Sequence, residues 1–164
     1  HQRQVAGDVG GVGHEGARVA ASVAASGLAA RVLTNPDYNL GQFTSVLTGL
    51  SAVDRPEVDG FLLALVDAPL FSADTVRQVV ARFEAVHAPV VRAVRGSEHG
   101  HPVLIARTLF DALLSTDPAH GAKPIVRGHV SAAGDVEVDD PGAFIDIDTP
   151  EDYERFIGSS PQKT

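Results

Sequence analysis

Apolar positions along the chain switch repeatedly between two periods. From His14 to Ala25 they recur at helical spacing, at Ala17, Val19, Ala20, Val23 and Ala24, and Gly27 follows as a stop. Ala30 to Thr34 reads as a short strand that runs into the turn-rich stretch Asn35 to Gly41. The helical period returns over Gln42 to Val53, with Phe43, Val46, Leu47 and Leu50 on one side. Phe61 to Val66 is then an unbroken apolar run, the signature of a strand buried on both faces. The pattern further predicts a helix over Ala73 to Val86 and strands over Pro89 to Val94 and His101 to Ala106. Helices over Arg107 to Leu114 and Ala119 to Val126, a strand near Val136 to Val138 and a helix over Pro150 to Ile157 complete it. Continuous apolar strands alternating with helices predict an α/β fold, a mostly parallel sheet covered by helices on both faces.

Composition narrows the function classes. The 164 residues suit one domain with a single core, and 44% apolar content with a formal charge of -8 fits a globular chain with no nucleic-acid partner. No apolar run approaches the ~20 residues of a spanning helix, so no membrane partner is expected. There is no cysteine and no charged-then-apolar leader, which makes the cytoplasm the default location. The chain has no methionine and starts at His1, and it reads as a piece of a longer product.

The candidate chemistry is carboxylate chemistry. Asp67 directly follows the run from Phe61 to Val66, and Pro69 stops the strand from continuing. Ligands of open parallel sheets gather outside the carboxyl ends of strands, where Asp67 would lie. A helix-capping role fits it poorly, because Ser72 already occupies the N-cap position before Ala73. Near the C-terminus Asp146 and Asp148 alternate with Ile145 and Ile147, so in extended backbone both carboxylates face one side. Thr149, Pro150 and Asp152 are explained by a capping box at the last helix. Two same-side carboxylates repel unless a cation or a basic partner sits between them, and hard divalent ions such as Mg2+ favour such oxygens.

The pair admits three readings. Asp146-Ile147-Asp148-Thr149 matches the Asp-x-Asp-x-Thr pattern of haloacid dehalogenase-type phosphatases, which place it in a first strand with a whole domain after it; here only residues 149 to 164 follow. Metal-dependent glycosyltransferases carry Asp-x-Asp at mid-chain, where this sequence has only Asp67. The third reading joins Asp67 and the late cluster across one metal.

Five segments in order then resemble the MobA/MocA-like nucleotidyltransferases, especially molybdenum cofactor cytidylyltransferases. They are TNPDYNLGQFTSVLTGL from Thr34, LLALVDAPL from Leu62, EHGHPVLIAR from Glu98, HGAKPIV from His120 and DDPGAFIDIDTPEDY from Asp139. The resemblance implies a Rossmann-like three-layer sandwich of the nucleotide-diphospho-sugar transferase type in one domain over residues 1–164. It implies Mg2+-dependent transfer of CMP or GMP from CTP or GTP to the phosphate of molybdopterin, with a molybdoenzyme as a possible partner. Asp67 and Asp148 would hold the metal and act in catalysis, with Asp146 beside them. Gly100, His101 and Pro102 would line the acceptor pocket, Gly100 by letting a ligand approach the backbone closely. Asn35, Asn39, Gly41 and Ser45 would lie beside the ligand, although turn and capping chemistry explains them equally well. Lys123, with Arg92, Arg95 and Arg127, would counter phosphate charge.

The sequence also departs from the family pattern. The opening glycine-rich phosphate loop is absent, and HQRQVAGDVGGVGHEG resembles the end of the family's first helix followed by a degraded second strand. A leading βα unit of roughly 30 residues would then be missing from the chain, and the sheet would lose a central member. Ala68, His99 and Ala119 stand where the family carries Gln, Arg and Asp. Two other readings remain open: a non-catalytic module that binds the cofactor or a molybdoenzyme, and a transferase with another phosphorylated acceptor such as a sugar phosphate.

Overall fold

A computed structural model of the chain describes residues 8–12, of which the backbone alone, and residues 16–158. The strands are β1 (Asp8–Val12), β2 (Ala30–Thr34), β3 (Gly60–Leu63), β4 (Val90–Arg95), β5 (Glu98–Ala106) and β6 (Asp135–Glu137). The α-helices are α1 (Gly16–Ala25), α2 (Gln42–Val53), α3 (Ala73–Val86), α4 (Phe110–Leu114), α5 (Lys123–His129) and α6 (Pro150–Phe156). Short 3-10 turns occupy Tyr38–Leu40, Arg107–Leu109, Pro118–His120 and Pro141–Phe144. The elements β2, α2 and α3 have the bounds that periodicity predicts, and β1 occupies the stretch read as a degraded second strand. The start of the first helical pattern, at His14 and Glu15, and the helix end read into residues 1–7 lie outside the described residues.

The α/β class holds, but the sheets are mixed rather than mostly parallel. β1 and β2 pair in parallel, with Asp8 opposite Ala30 and Val12 opposite Thr34. A four-stranded sheet has the order β3-β5-β4-β6, in which β4 pairs β6 in parallel and β5 antiparallel. The reason is local: only Gly96 and Ser97 separate β4 from β5, and a parallel crossover needs about a dozen residues. Gly96 takes φ 59° in this turn, a conformation that costs glycine little.

The chain divides into two compact units, each made of two segments. The first holds residues 1–61 and 107–129. Within it Leu50 of α2 and Phe110 and Leu113 of α4 are fully buried, and the Phe61 and Phe110 rings lie 5.6 Å apart in a tilted pair. Arg107 fastens the loop that leads into β3. Its guanidinium donates to the Arg55 carbonyl at 2.5 Å, the Val58 carbonyl at 3.2 Å and Asp54 Oδ1 at 2.8 Å, and its N–H donates to the Asp59 carbonyl.

The second unit holds residues 62–106 and 130–164. Its core joins Val79 and Phe83 of α3 to Val91 and Ala93 of β4, Leu104 and Ala106 of β5, Val136 of β6, and Val138. Each large apolar side chain in it contributes about 1.5–3 kcal/mol by leaving water. α3 starts at Ser72, whose hydroxyl accepts the Thr75 N–H at 3.1 Å, the N-cap that sequence predicts. It ends at His87, in the left-handed region at φ 49°.

Because one guanidinium satisfies three acceptors of the 54–58 loop, Arg107→Ala should cost about 1–3 kcal/mol. Urea unfolding of the variant should show this as a lowered midpoint.

Candidate active site

In the second unit the apolar run does not stay a strand to its end. β3 stops at Leu63, and a turn closed by the Ala68 N–H on the Leu65 carbonyl at 3.2 Å carries the chain through Val66 and Asp67. The strand expected to reach Val66 is therefore shorter, and Val66 is 93% exposed. Formation of the turn aims residues 66 and 67 away from the ladder, while Ala68 is buried and anchors the loop.

Asp67 keeps its place at the end of this element, and its main chain has a definite partner. Its carbonyl accepts the Ile147 N–H at 2.6 Å. That bond sets the Asp67 backbone beside the segment that carries Asp146 and Asp148. In this segment Ile145 and Ile147 are half-buried while Asp146 and Asp148 are exposed, the alternation that sequence predicts. Thr149 and Asp152 form the predicted capping box at α6. The Thr149 hydroxyl and N–H hold the Asp152 carboxylate below its ordinary pKa.

Asp67 Oδ1 is buried and accepts no hydrogen bond. A buried carboxylate oxygen without a donor is costly, and a cation removes that cost. The donor set, Asp67 and Asp148, suits Mg2+, which commonly takes one or two protein carboxylates and fills its other positions with water and phosphate oxygens. Among the described residues no three His, Asp or Glu side chains converge on one point. The full set of Asp67, Asp146 and Asp148 is thus not gathered at one point, and Asp146 and Asp148 are both exposed.

Gly100, His101 and Pro102 lie in an irregular stretch of β5. Four steps from His99 to Val103 face two steps from Val94 to Arg92 on β4, so these three residues form a bulge. Proline has no N–H for the ladder, and the His101–Pro102 peptide bond is cis. His101 is half-buried, and its Nδ1 is buried without a partner. The role expected of Gly100 needs correction. A Cβ there would lie 2.2 Å from the Ala143 carbonyl oxygen, so the close approach it permits is made by the protein's own 141–144 turn rather than by a ligand.

The same turn is held by a residue that sequence reasoning passed over. Asp140 Oδ2 accepts the Ser72 N–H at 2.7 Å and the Thr75 hydroxyl at 2.5 Å, and Oδ1 accepts the Gly142 N–H at 3.1 Å. Partial burial alone would raise the pKa of this carboxyl, but the bonds from Ser72, Thr75 and Gly142 outweigh it and lower the pKa. The only sequence signal was Asp140-Pro141-Gly142, a turn with an acceptor at its head.

The remaining candidates belong to the first unit. Asn35 is 2% exposed, and its side chain is fully engaged. Nδ2 donates to Thr44 Oγ1 at 2.8 Å and Ser45 Oγ at 2.9 Å, and Oδ1 accepts the Asp37 N–H at 3.0 Å. Asn35 and Ser45 are therefore brought together, as a bracket that shapes the loop. Asn39 and Gly41 are exposed in that loop, and Gly41, at φ 116°, precedes α2 with no side chain capping the helix. Lys123 is exposed at the start of α5. Arg92 and Arg95, in the second unit, are paired with Asp135 and Glu98 at 2.8 Å each, which accounts for both without a phosphate.

The family model described as the MobA-like NTP transferase domain matches residues 3–134, which include Asp67 and the β5 bulge. The chain belongs to the MobA-like NTP transferase family. It is 29% identical over 119 residues to the purine catabolism protein PucB of Bacillus subtilis (strain 168), a match covering 72% of this chain and 57% of that protein. It is 27% identical over 125 residues to the molybdenum cofactor cytidylyltransferase of Escherichia coli (strain K12), covering 74% and 59%. The chain thus spans less than two thirds of the length of these curated relatives. Among solved structures, Rv0371c of Mycobacterium tuberculosis H37Rv shares the fold, with TM-score 0.71, 23% identity and coverage of 97% of this chain and 80% of that one. The same protein in complex with manganese gives a TM-score of 0.70 at 24% identity, covering 97% and 81%. A nucleotidyl transferase from Methanothermobacter thermautotroptrophicus gives 0.70 at 22% identity, covering 92% and 71%. Among the described residues no helix is long and apolar enough to cross a membrane.

Since the folded-state pKa of Asp140 is depressed, its contribution to stability is present above the unfolded value of about 3.9 and is lost as pH falls through the folded value. Asp140→Asn should therefore lose on the order of 1 kcal/mol at pH 7, a figure reduced by partial solvent screening. Urea midpoints of the two proteins should converge as the pH is taken below about 4.

Proposed function

We propose that this chain is the core of a Mg2+-dependent nucleotidyltransferase that moves CMP or GMP from CTP or GTP onto the phosphate of molybdopterin. The observation that carries the reading is the buried, unpartnered Oδ1 of Asp67, on a residue whose carbonyl is bonded to the segment bearing Asp148. Asp67 and Asp148 would hold the metal, with Asp146 as a neighbouring acid. When bound, the ion supplies neutralisation of the triphosphate charge.

An oxygen of the acceptor phosphate attacks the α-phosphorus of the nucleotide. A new phosphorus–oxygen bond forms as the bond between the α- and β-phosphates breaks, and the electron pair leaves with pyrophosphate. Such a displacement asks the protein for positioning and charge compensation and for no covalent nucleophile. In the first unit, the Asn35 bracket fixes a loop ahead of α2, a helix start that no side chain caps and that favours anionic oxygens. In the second, His101 sits in the β5 bulge with a free ring nitrogen for a polar acceptor group. The molybdopterin acceptor is supported by the resemblance carried by His101 and Pro102 and by the cytidylyltransferase relative from Escherichia coli. The cytoplasm remains the expected location.

Calorimetric titration with CTP and GTP, with and without Mg2+, tests the proposal. Magnesium-dependent binding of one nucleotide is expected, and its loss in Asp67→Asn and Asp148→Asn with an unchanged circular dichroism spectrum supports the metal site. Normal binding by both variants would sink that site. Absence of any nucleotide binding would favour a non-catalytic module that binds the cofactor or a molybdoenzyme. His101→Ala should raise the acceptor KM about tenfold, the effect of one lost hydrogen bond to a charged group, while leaving the nucleotide KM near its original value.

A further inference from the structure

We propose that Asp140 is a positioning residue for the carboxylate pair Asp67 and Asp148; the inference rests on the metal site proposed above. Two segments of the second unit run past each other in opposite directions and meet at three places. Asp67 receives the Ile147 N–H on its carbonyl at 2.6 Å. Leu70 meets Gly142 so closely that a Cβ on Gly142 would lie 2.1 Å from the Leu70 carbonyl oxygen. Ser72 and Thr75 donate to the carboxylate of Asp140. As one segment advances from 67 to 72, its partner falls from 147 to 140, so the contacts form a zipper with the reactive carboxylates at one end and Asp140 at the other.

The three contacts differ in what holds them. The Leu70–Gly142 approach is steric and resists compression without preventing the segments from separating. A single backbone bond at 67–147 contributes modestly. Asp140 accepts two bonds across the segments, from Ser72 and Thr75 at the start of α3, and a third from Gly142 of its own turn, and its charge strengthens each. It touches neither proposed metal ligand. Its effect on them passes through the register it imposes on the 141–147 segment, which decides where the Asp148 carboxylate stands relative to Asp67.

Amide hydrogen exchange and calorimetry on the same variants test this. In Asp140→Asn the Ile147 amide should lose at least tenfold of its protection relative to the buried amides of β4, and the Mg2+ concentration that half-saturates nucleotide binding should rise at least tenfold. Thr75→Val, which removes one donor and keeps the carboxylate, should shift both in the same direction by less, and it carries the test if Asp140→Asn fails to fold. Asp135→Asn breaks the Arg92 pair elsewhere in the unit and controls for lost stability; it should leave both readouts unchanged. Unchanged Ile147 protection in both test variants overturns the inference. So does lost protection with an unaltered Mg2+ requirement, or a control that shifts as far as Asp140→Asn. If the unmodified protein binds no nucleotide with Mg2+, the transferase reading itself falls and the positioning role falls with it, an outcome read before any variant is made.

Discussion

The hydrogen bond from the Ile147 N–H to the Asp67 carbonyl joins two parts of the chain that are eighty positions apart in sequence and makes one carboxylate region of them. Without it, Asp67 would be an acid at the end of a frayed strand and Asp148 an acid before a terminal helix. The bond forms because the surrounding backbone is allowed to come close. Gly142 lies on the Leu70 carbonyl and Gly100 on the Ala143 carbonyl, at separations that no Cβ could occupy. Glycine at these two points and an acceptor at Asp140 let a short 3-10 turn sit flat on β5 and on the approach to α3.

Much of this was legible in the sequence, and the limits have physical causes. Helix α3 was readable because its N-cap and apolar face are both local signals. The alternation of Ile145, Asp146, Ile147 and Asp148 was readable because extended backbone has a period of two whatever it pairs with. Strand direction was misjudged for β4 and β5, because a continuous apolar pattern reports burial on both faces and says nothing about the sense of the neighbour. The two-residue link at Gly96 and Ser97 carried that information. The early end of β3 was hidden for a similar reason. Apolar character persists to Val66, but strand structure depends on ladder partners that composition does not reveal.

Within the site, residue types were easier to identify than their roles. Gly100 was read as a place where a ligand approaches the backbone, and the physical premise was sound, since something does approach it closely. That it is the Ala143 carbonyl follows from a contact more than forty positions away. Asp140 was overlooked because an aspartate before Pro-Gly is explained by turn chemistry alone, and its other two donors, from Ser72 and Thr75, are remote in sequence. Long-range satisfaction of a polar group leaves no periodic trace.

Hydrogen-bond satisfaction also separates Asn35, a buried residue that the resemblance singles out, from the half-buried Asp67, which its place after an apolar run already marks. Asn35 has both amide hydrogens donated and its oxygen occupied, all within ten residues of itself. An incoming ligand would have to break those bonds to use it, so its contribution is the shape of the loop. Asp67 spends its carbonyl on Ile147 and keeps Oδ1 buried with nothing to accept. Burial of a carboxylate oxygen in this way carries a desolvation cost that no bond among the described residues offsets. The proposed site gives that oxygen a partner from outside the chain, and for an acceptor-only group such a partner is a donor or a cation.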